Sequence, residues 1–230
     1  MRQLPLPIGP VPQPRFDNFV PGANAAALAH LLGLRWPAAP VYLWGEGASG
    51  KSHLLRALGA HCQDLGRHVG WFDAADALPW TLLPEWAVVL IDRCDELSEA
   101  AQHAAFALFV DAATHGVQVV AAGRLPPVDL PVREDLRTRL GWGHVFALQP
   151  LADTETRAAL RREADHRGIF LSDEVMDHLL TRCPRDLSHL MGLLDRLDRY
   201  ALARARRVTV PLLRDMLADA TPQTSEITTA

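Results

Sequence analysis

The segment Gly45-Glu46-Gly47-Ala48-Ser49-Gly50-Lys51-Ser52 constrains this chain more than any other. It fits the spacing G-x-x-x-x-G-K-[ST], in which successive backbone N–H groups curl round a polyphosphate. Glycines permit that curl because a Cβ would block the close approach. Lys51 would place a point charge on the β- and γ-phosphates, and the Ser52 hydroxyl would take a Mg²⁺ ligand position. The flanks agree with this reading. Val41-Tyr42-Leu43-Trp44 reads as a short buried strand, and His53 to Leu65 as a helix with Leu54, Leu55, Leu58 and Leu65 on its inner side. The phosphates would then sit on a helix N-terminus, where unpaired N–H groups and the helix dipole favour anions. Lys51 is also the only lysine in the chain. Arginine's wide planar fork does not replace a compact ammonium inside a tight phosphate loop. The bland alternative is a glycine-rich turn that matches by accident, which the flanking strand and helix disfavour.

Ala87-Val88-Val89-Leu90-Ile91-Asp92 is the second informative stretch. A continuous apolar run ending in an acid describes a buried parallel strand that delivers a carboxylate at its C-terminal edge. This is the Walker B arrangement, with Asp92 holding Mg²⁺ beside Ser52. The plainer alternative is a strand-end Asp that caps the next helix. Arg93 follows, where a hydrolytic ATPase of this type usually has an acid to orient the attacking water. Asp95 and Glu96 fall in the turn before a helix starting near Ser98, and capping suits them better than catalysis. Weak intrinsic hydrolysis is therefore expected.

Val69 to Phe72, Val117 to Ala121 and Val145 to Leu148 read as further strands, and Ser98 to Thr114 as a helix. Asn24 to about Leu32 reads as a helix that Asn24 could cap, with Gly33 suited to the left-handed position past its end. Residues 74–86 look like a loop with a helical turn. Arg133 to Gly143 contains a short arginine-rich helix and a glycine break. Strands alternating with helices argue for a doubly wound parallel α/β sheet, which binds ligands at the carboxyl ends of its strands. From Pro150 the pattern changes. Asp153 to Arg167, Ser172 to Arg182, Asp186 to Ala203 and Val210 to Ala218 read as four helices, with Ser172 and Thr209 as caps.

Four segments are expected: an extended tail over 1–15, the nucleotide-binding α/β domain over 16–149, a helical lid over 150–220 and a frayed tail over 221–230. The proline-rich start, with Gln3-Leu4-Pro5-Leu6-Pro7-Ile8, stays extended because prolines at alternate positions forbid helix. Such a segment suits a groove on another protein or packs on its own domain. The formal net charge of −4 gives no global basic field for nucleic acid. Cys62, Cys94 and Cys183 are odd in number without metal spacing, and no apolar run spans a membrane. With no secretory or transit pattern at the start, a reduced cytoplasmic setting is the expectation.

P-loop, Walker B, an arginine-rich helix before the last strand and a helical lid together resemble an AAA+ module. Phe16-Asp17-Asn18-Phe19-Val20-Pro21-Gly22 and Arg139-Leu140-Gly141-Trp142-Gly143 resemble stretches of DnaA-type replication initiators. The chain ends where an initiator would continue into its helix-turn-helix domain, and it lacks the initiator's long N-terminal domain. Nearly the whole chain is similar to the Hda-type regulatory inactivators of DnaA. Gln3 to Ile8 resembles the sliding-clamp motif Q-L-x-L-P-[LF], with Ile8 at the last position.

The resemblance implies a set of roles. Gln3, Leu4, Pro5, Leu6, Pro7 and Ile8 would dock on the DNA polymerase III β sliding clamp, giving contact with DNA only through the clamp. Phe19 and Val20 would lie near the adenine of bound ADP or ATP. Gly45 to His53, Asp92 and Arg185 would complete the nucleotide site, with Ser52 and Asp92 holding Mg²⁺ where present. Arg185 matches a sensor 2 arginine, and Arg139 an arginine finger acting in trans on DnaA. Gly123-Arg124 occupies the sensor 1 region without the usual polar Asn or Thr. Arg137 and Arg139 could instead be surface charges on a solvated helix, and Arg185 could pair with Asp186 or Asp195. The implied function is clamp-tethered stimulation of hydrolysis of DnaA-bound ATP, which prevents re-initiation. No membrane is involved, and homo-oligomers are allowed. A helicase-loader motor, an initiator fragment and a small-molecule kinase are the rivals.

Overall fold

The computed structural model describes residues 13–184 and 186–219. Gln3 to Ile8 and Arg185 lie outside the described residues. The chain forms two compact units, the first ending at Leu151 and the second starting at Ala152.

In the first unit, five strands pair in parallel: β1 (Val41–Trp44), β2 (His68–Asp73), β3 (Trp86–Asp92), β4 (Gln118–Gly123) and β5 (His144–Ala147). Their order is β2-β3-β4-β1-β5. Side chains alternate between the two faces of a strand, and both faces here are apolar. Val41, Leu43, Val88, Leu90, Val120 and Ala122 face a core closed by α1 (Ala25–Leu32) and α2 (Lys51–Asp64). Tyr42, Val89, Ile91, Val119 and Ala121 face the other core, closed by α3 (Glu99–His115) and α4 (Glu134–Gly141). This double burial explains why the central strands read as unbroken apolar runs. α3 places Ala101, Ala105, Leu108, Phe109 and Ala112 inward at helical spacing, and Ser98 caps it by accepting from the Ala101 N–H at 3.3 Å.

Three local expectations fail. Asn24 precedes α1, but its side chain makes no capping bond. It is buried and turned toward the other end of the unit. Its Oδ1 accepts from the Gln149 N–H at 2.8 Å, and its Nδ2 donates to the Gln149 C=O at 2.9 Å. Gly33 ends α1 at φ −89° rather than in the left-handed region, donating its N–H to the Ala29 C=O at 3.0 Å. Residues 74–86 form turns and extended chain without a helical turn before β3 begins at Trp86. There the core recruits Trp80, whose ring lies 4.9 Å from that of Phe72.

The second unit is all-helical among the described residues: α5 (Asp153–His166), α6 (Asp173–Arg182), α7 (Leu187–Arg204) and α8 (Val210–Ala218). Ser172 and Thr209 cap α6 and α8 through the Val175 and Leu212 N–H groups, as their positions predict. The core joins Leu160, Val175, Met176, Leu179, Leu190, Leu194, Leu197, Leu212 and Leu213. No helix among the described residues is long and apolar enough to cross a membrane. All three cysteines are free, and burial pushes the Cys62 thiol up to about 11 and Cys94 higher still, which removes their nucleophilicity.

The Asn24–Gln149 pair joins the start of the first unit to its end. Asn24→Ala removes both hydrogen bonds to the Gln149 backbone, and is expected to cost about 1–2 kcal/mol. A urea unfolding titration against the unmodified chain reads this as a lower midpoint.

Candidate functional site

β1 ends in the centre of the sheet, and the loop after it turns straight into α2. The turn is set by positive φ at Gly45 (154°), Ala48 (61°) and Gly50 (92°). Two of these positions exclude any side chain. A Cβ on Gly45 would lie 2.1 Å from the Leu148 C=O, and one on Gly50 would lie 2.7 Å from Cε2 of Phe19. The loop is thus clamped between the chain leaving β5 and the ring of Phe19.

Lys51 opens α2 and stays within the loop. Its Nζ donates to the Gly45 C=O at 2.7 Å, the Glu46 C=O at 2.8 Å and Ser49 Oγ at 3.1 Å. Those three acceptors match the three donors of an ammonium. Ser49 is itself buried and donates to the Glu46 C=O at 2.9 Å. Burial holds the Lys51 ammonium below its ordinary range; the charges of Asp92 and Asp95 oppose that shift, and Arg124 adds to it. All four charged groups therefore share one electrostatic neighbourhood at the carboxyl edge of the sheet.

Asp92 ends β3 with only 4% of its surface exposed. Its Oδ1 accepts from the Arg93 N–H at 3.0 Å, and Oδ2 has no hydrogen-bond partner among the described residues. The Ser52 hydroxyl, in the first turn of α2, likewise has no hydrogen-bond partner among them. Two uncommitted oxygen donors at the phosphate end of the loop fit a hard cation bridged by phosphates, so Ser52 and Asp92 would hold Mg²⁺ and so polarise the polyphosphate. No cluster of three or more His, Cys, Asp or Glu among the described residues would bind a metal without such a bridge.

Arg93 takes a left-handed conformation at φ 53° directly after Asp92. Its guanidinium is committed. It donates to both carboxylate oxygens of Asp73, at 3.0 Å to Oδ2, and to Glu96 Oε2 at 3.2 Å. Asp73 ends β2 and pairs in register with Asp92, so the position where a water-orienting acid is expected carries a fixed cation. Asp95 and Glu96 do not cap α3, because Ser98 already does so. Asp95 instead accepts the Arg124 N–H at 2.8 Å, and Glu96 pairs with Arg93.

On the outer side of α2, Arg15 pairs with Asp64, the Phe16 ring meets His61 at 5.7 Å, and Phe19 meets His53 at 5.4 Å. The His53 Nε2 lies 3.0 Å from the Arg15 C=O. A carbonyl only accepts, so Nε2 carries the proton. Burial lowers the basicity of this ring despite that bond. Phe19 therefore does lie against the phosphate loop, beside half-buried Val20. Arg137 and Arg139 are half-buried on α4, and neither guanidinium forms a hydrogen bond or ion pair among the described residues.

With this geometry in view, similarity to known proteins becomes informative. Residues 153–217 match the family described as Hda, lid domain. Domain III of the Thermotoga maritima replication initiation protein DnaA superposes with TM-score 0.72 at 21% identity, covering 92% of this chain and 98% of that one. AMPPCP-bound DnaA from Aquifex aeolicus gives TM-score 0.66 at 20% identity, over 81% of this chain and 65% of that one. A mutant RuvB from Thermotoga maritima gives 0.65 at 14% identity, over 91% and 72%. The chain shares the fold of these structures and joins it to the phosphate-loop spacing at 45–52. The residues that match the Hda lid family lie within the second unit.

Two outcomes follow for the site. Gly50→Ala must tolerate both a left-handed φ and the Phe19 ring, a strain of about 1–3 kcal/mol. It is expected to weaken ADP binding by at least about tenfold, measured by titration of a fluorescent nucleotide. The second concerns Asp73, whose carboxyl the Arg93 guanidinium holds below the usual range. A depressed carboxylate contributes stability above about pH 4, and that contribution fades as pH falls through its lowered value. Solvent reaches both side chains, so Arg93→Ala costs about 0.5–1 kcal/mol at pH 7. That difference from the unmodified chain shrinks in urea titrations as pH falls below the ordinary carboxylate range.

Proposed function

We propose that this protein limits replication initiation by stimulating hydrolysis of ATP bound to a DnaA-type initiator, while tethered to a DNA-loaded sliding clamp. The observation that carries the reading is an Hda lid domain on a DnaA-like core. The local geometry supports it. The first unit holds a phosphate loop with its own lysine, serine and acid, which suits ADP or ATP, and Ser52 and Asp92 are the residues that would hold Mg²⁺. The water-orienting acid is replaced by an arginine locked to Asp73 and Glu96, which leaves intrinsic turnover weak.

Arg139 is the group proposed to act in trans. It is carried on α4, whose base is fixed by buried Leu136 and Leu140. Its guanidinium has no competing acid among the described residues. Placed at the ATP of the initiator, it would stabilise charge on the γ-phosphoryl group as the bond to the β-phosphate oxygen breaks and water attacks. Arginines supplied in trans contribute about 10³–10⁵ in rate to such reactions. Gln3 to Ile8 would engage the clamp and raise local concentration without new contacts at the reacting atoms. Arg185 would contact nucleotide from the lid.

The test is release of phosphate from ATP preloaded on DnaA, with this protein and DNA-loaded clamp added singly and together. Stimulation is expected only with both. Arg139→Ala should abolish it by about 10³-fold or more while ADP and clamp binding persist. Full stimulation by Arg139→Ala would sink the assignment. Fast ATP turnover by the isolated protein would favour a motor instead.

A further inference from the structure

We propose that the turn joining α7 to α8 in the second unit is a contact surface for the phosphate backbone of duplex DNA, carried by Arg206 and Arg207 with Arg214 of α8 in support. The choice of duplex DNA as the anion rests on the clamp-tethered reading above.

The distribution of charge singles this turn out. The chain has a formal net charge of −4, yet residues 199–214 hold five arginines and no Asp or Glu. The excess acid lies elsewhere in the chain. Screening confines charge effects to about 10 Å in 0.1 M salt, so a local cationic surface persists on a protein that is acidic as a whole.

Two of the five arginines are held by their own unit. Arg199 donates to Asp195 Oδ2 at 2.5 Å. Arg204 donates to Asp219 Oδ2 at 3.2 Å and lies over the Tyr200 ring, 3.5 Å from its centroid. The Tyr200 hydroxyl donates to the same carboxylate oxygen at 2.7 Å. Arg206, Arg207 and Arg214 are exposed, and their guanidinia form no hydrogen bond or ion pair among the described residues.

The plainer role for cations at this place, closing the C-terminus of α7, is already filled. Ala205 turns left-handed at φ 51°. Its N–H donates to the Leu202 C=O at 3.1 Å, and the Arg206 N–H donates to the Ala201 C=O at 3.1 Å. Arg204 supplies the positive charge in the last turn. Arg206 and Arg207 lie past that cap and shortly ahead of α8, whose first turn is capped by Thr209 and contains no acid. Two adjacent guanidinia thus precede the positive end of a helix dipole with no acid in the turn to offset them. An arriving anion relieves that repulsion, and a planar guanidinium matches phosphate oxygens. On the reading above, the protein works beside DNA that threads the clamp, so duplex phosphate is the anion at high local concentration. Sequence-independent contact with it needs only accessible charge, which this turn offers.

The test follows the anisotropy of a fluorescent duplex of arbitrary sequence, titrated with the full chain at several salt concentrations, with poly-glutamate and unlabelled duplex as competitors. Log K is expected to fall with log salt at a slope of about −3, for three phosphate contacts. The double variant Arg206→Ala, Arg207→Ala is expected to bind at least about tenfold more weakly near about 0.05 M salt, with a slope of about −1. Arg206→Lys with Arg207→Lys keeps both charges and retains most of the slope. Neither change removes a side-chain contact among the described residues, and circular dichroism with ADP titration checks the fold. Absence of duplex binding, or binding that the double alanine variant leaves unchanged, would overturn the proposal. Stronger competition from poly-glutamate than from unlabelled duplex would assign the turn to an acidic protein partner and overturn it equally. Neither clamp nor initiator enters the measurement, so its failure leaves the proposed function standing, and a failed stimulation assay leaves the duplex contact standing.

Discussion

A turn with no room for side chains governs the first unit. At Gly45 the backbone passes within reach of the Leu148 carbonyl, and at Gly50 it passes under the ring of Phe19. The Leu148 N–H also donates to the Trp44 C=O at 2.6 Å, so the chain leaving β5 locks the loop at its root. Phe19, in turn, stays in place because the segment from Arg15 runs along α2 and is tied there by Asp64, His53 and His61. The reciprocal bonds between Asn24 and Gln149 hold both flanking segments to each other. The phosphate loop is therefore shaped by contacts from both ends of the unit, and α2 begins where that shape ends.

Much of this was readable in the sequence because it is local. The loop spacing, the apolar run ending in Asp92 and the caps at Ser172 and Thr209 depend on neighbours within a few residues. Double burial of β1, β3 and β4 shows as unbroken apolar runs, which point to a parallel sheet without giving its order. The misses are long-range. Asn24 has the chemistry of a cap, yet a buried amide gains two bonds to a backbone 125 residues away where a cap gains one. Asp95 looked like a cap for the same reason. It serves β4 because β4 lies beside β3, and no local pattern encodes that neighbour. Asp73 carried no sequence signal. Only the register of β2 against β3 brings it beside Arg93.

The cations of the first unit sort by how firmly they are held. Lys51 has three acceptors within the loop. Arg93 has a forked pair with Asp73 and a third bond to Glu96. Arg124 has two long contacts, and Arg139 has none among the described residues. A cation satisfied by protein acceptors contributes shape; one left unsatisfied contributes binding energy to whatever anion arrives. Restraint decreases from the loop outward, which suits a site that binds its own nucleotide firmly and offers its remaining cations elsewhere.

That ordering bears on why a protein with an intact phosphate loop would act on a nucleotide other than its own. Hydrolysis needs a group that orients water, and an ionised arginine cannot accept the proton. In place of a water-orienting acid, Arg93 pairs with Asp73 and Glu96. On the proposed reading, such a site would keep binding while lacking an activated water, and a bound nucleotide would persist as a structural element. Arg139 lies on a separate helix with its base buried through Leu136 and Leu140, so its direction is set by the fold rather than by the nucleotide in the loop. Separating a persistent nucleotide from an uncommitted arginine in this way is what the proposed action in trans requires.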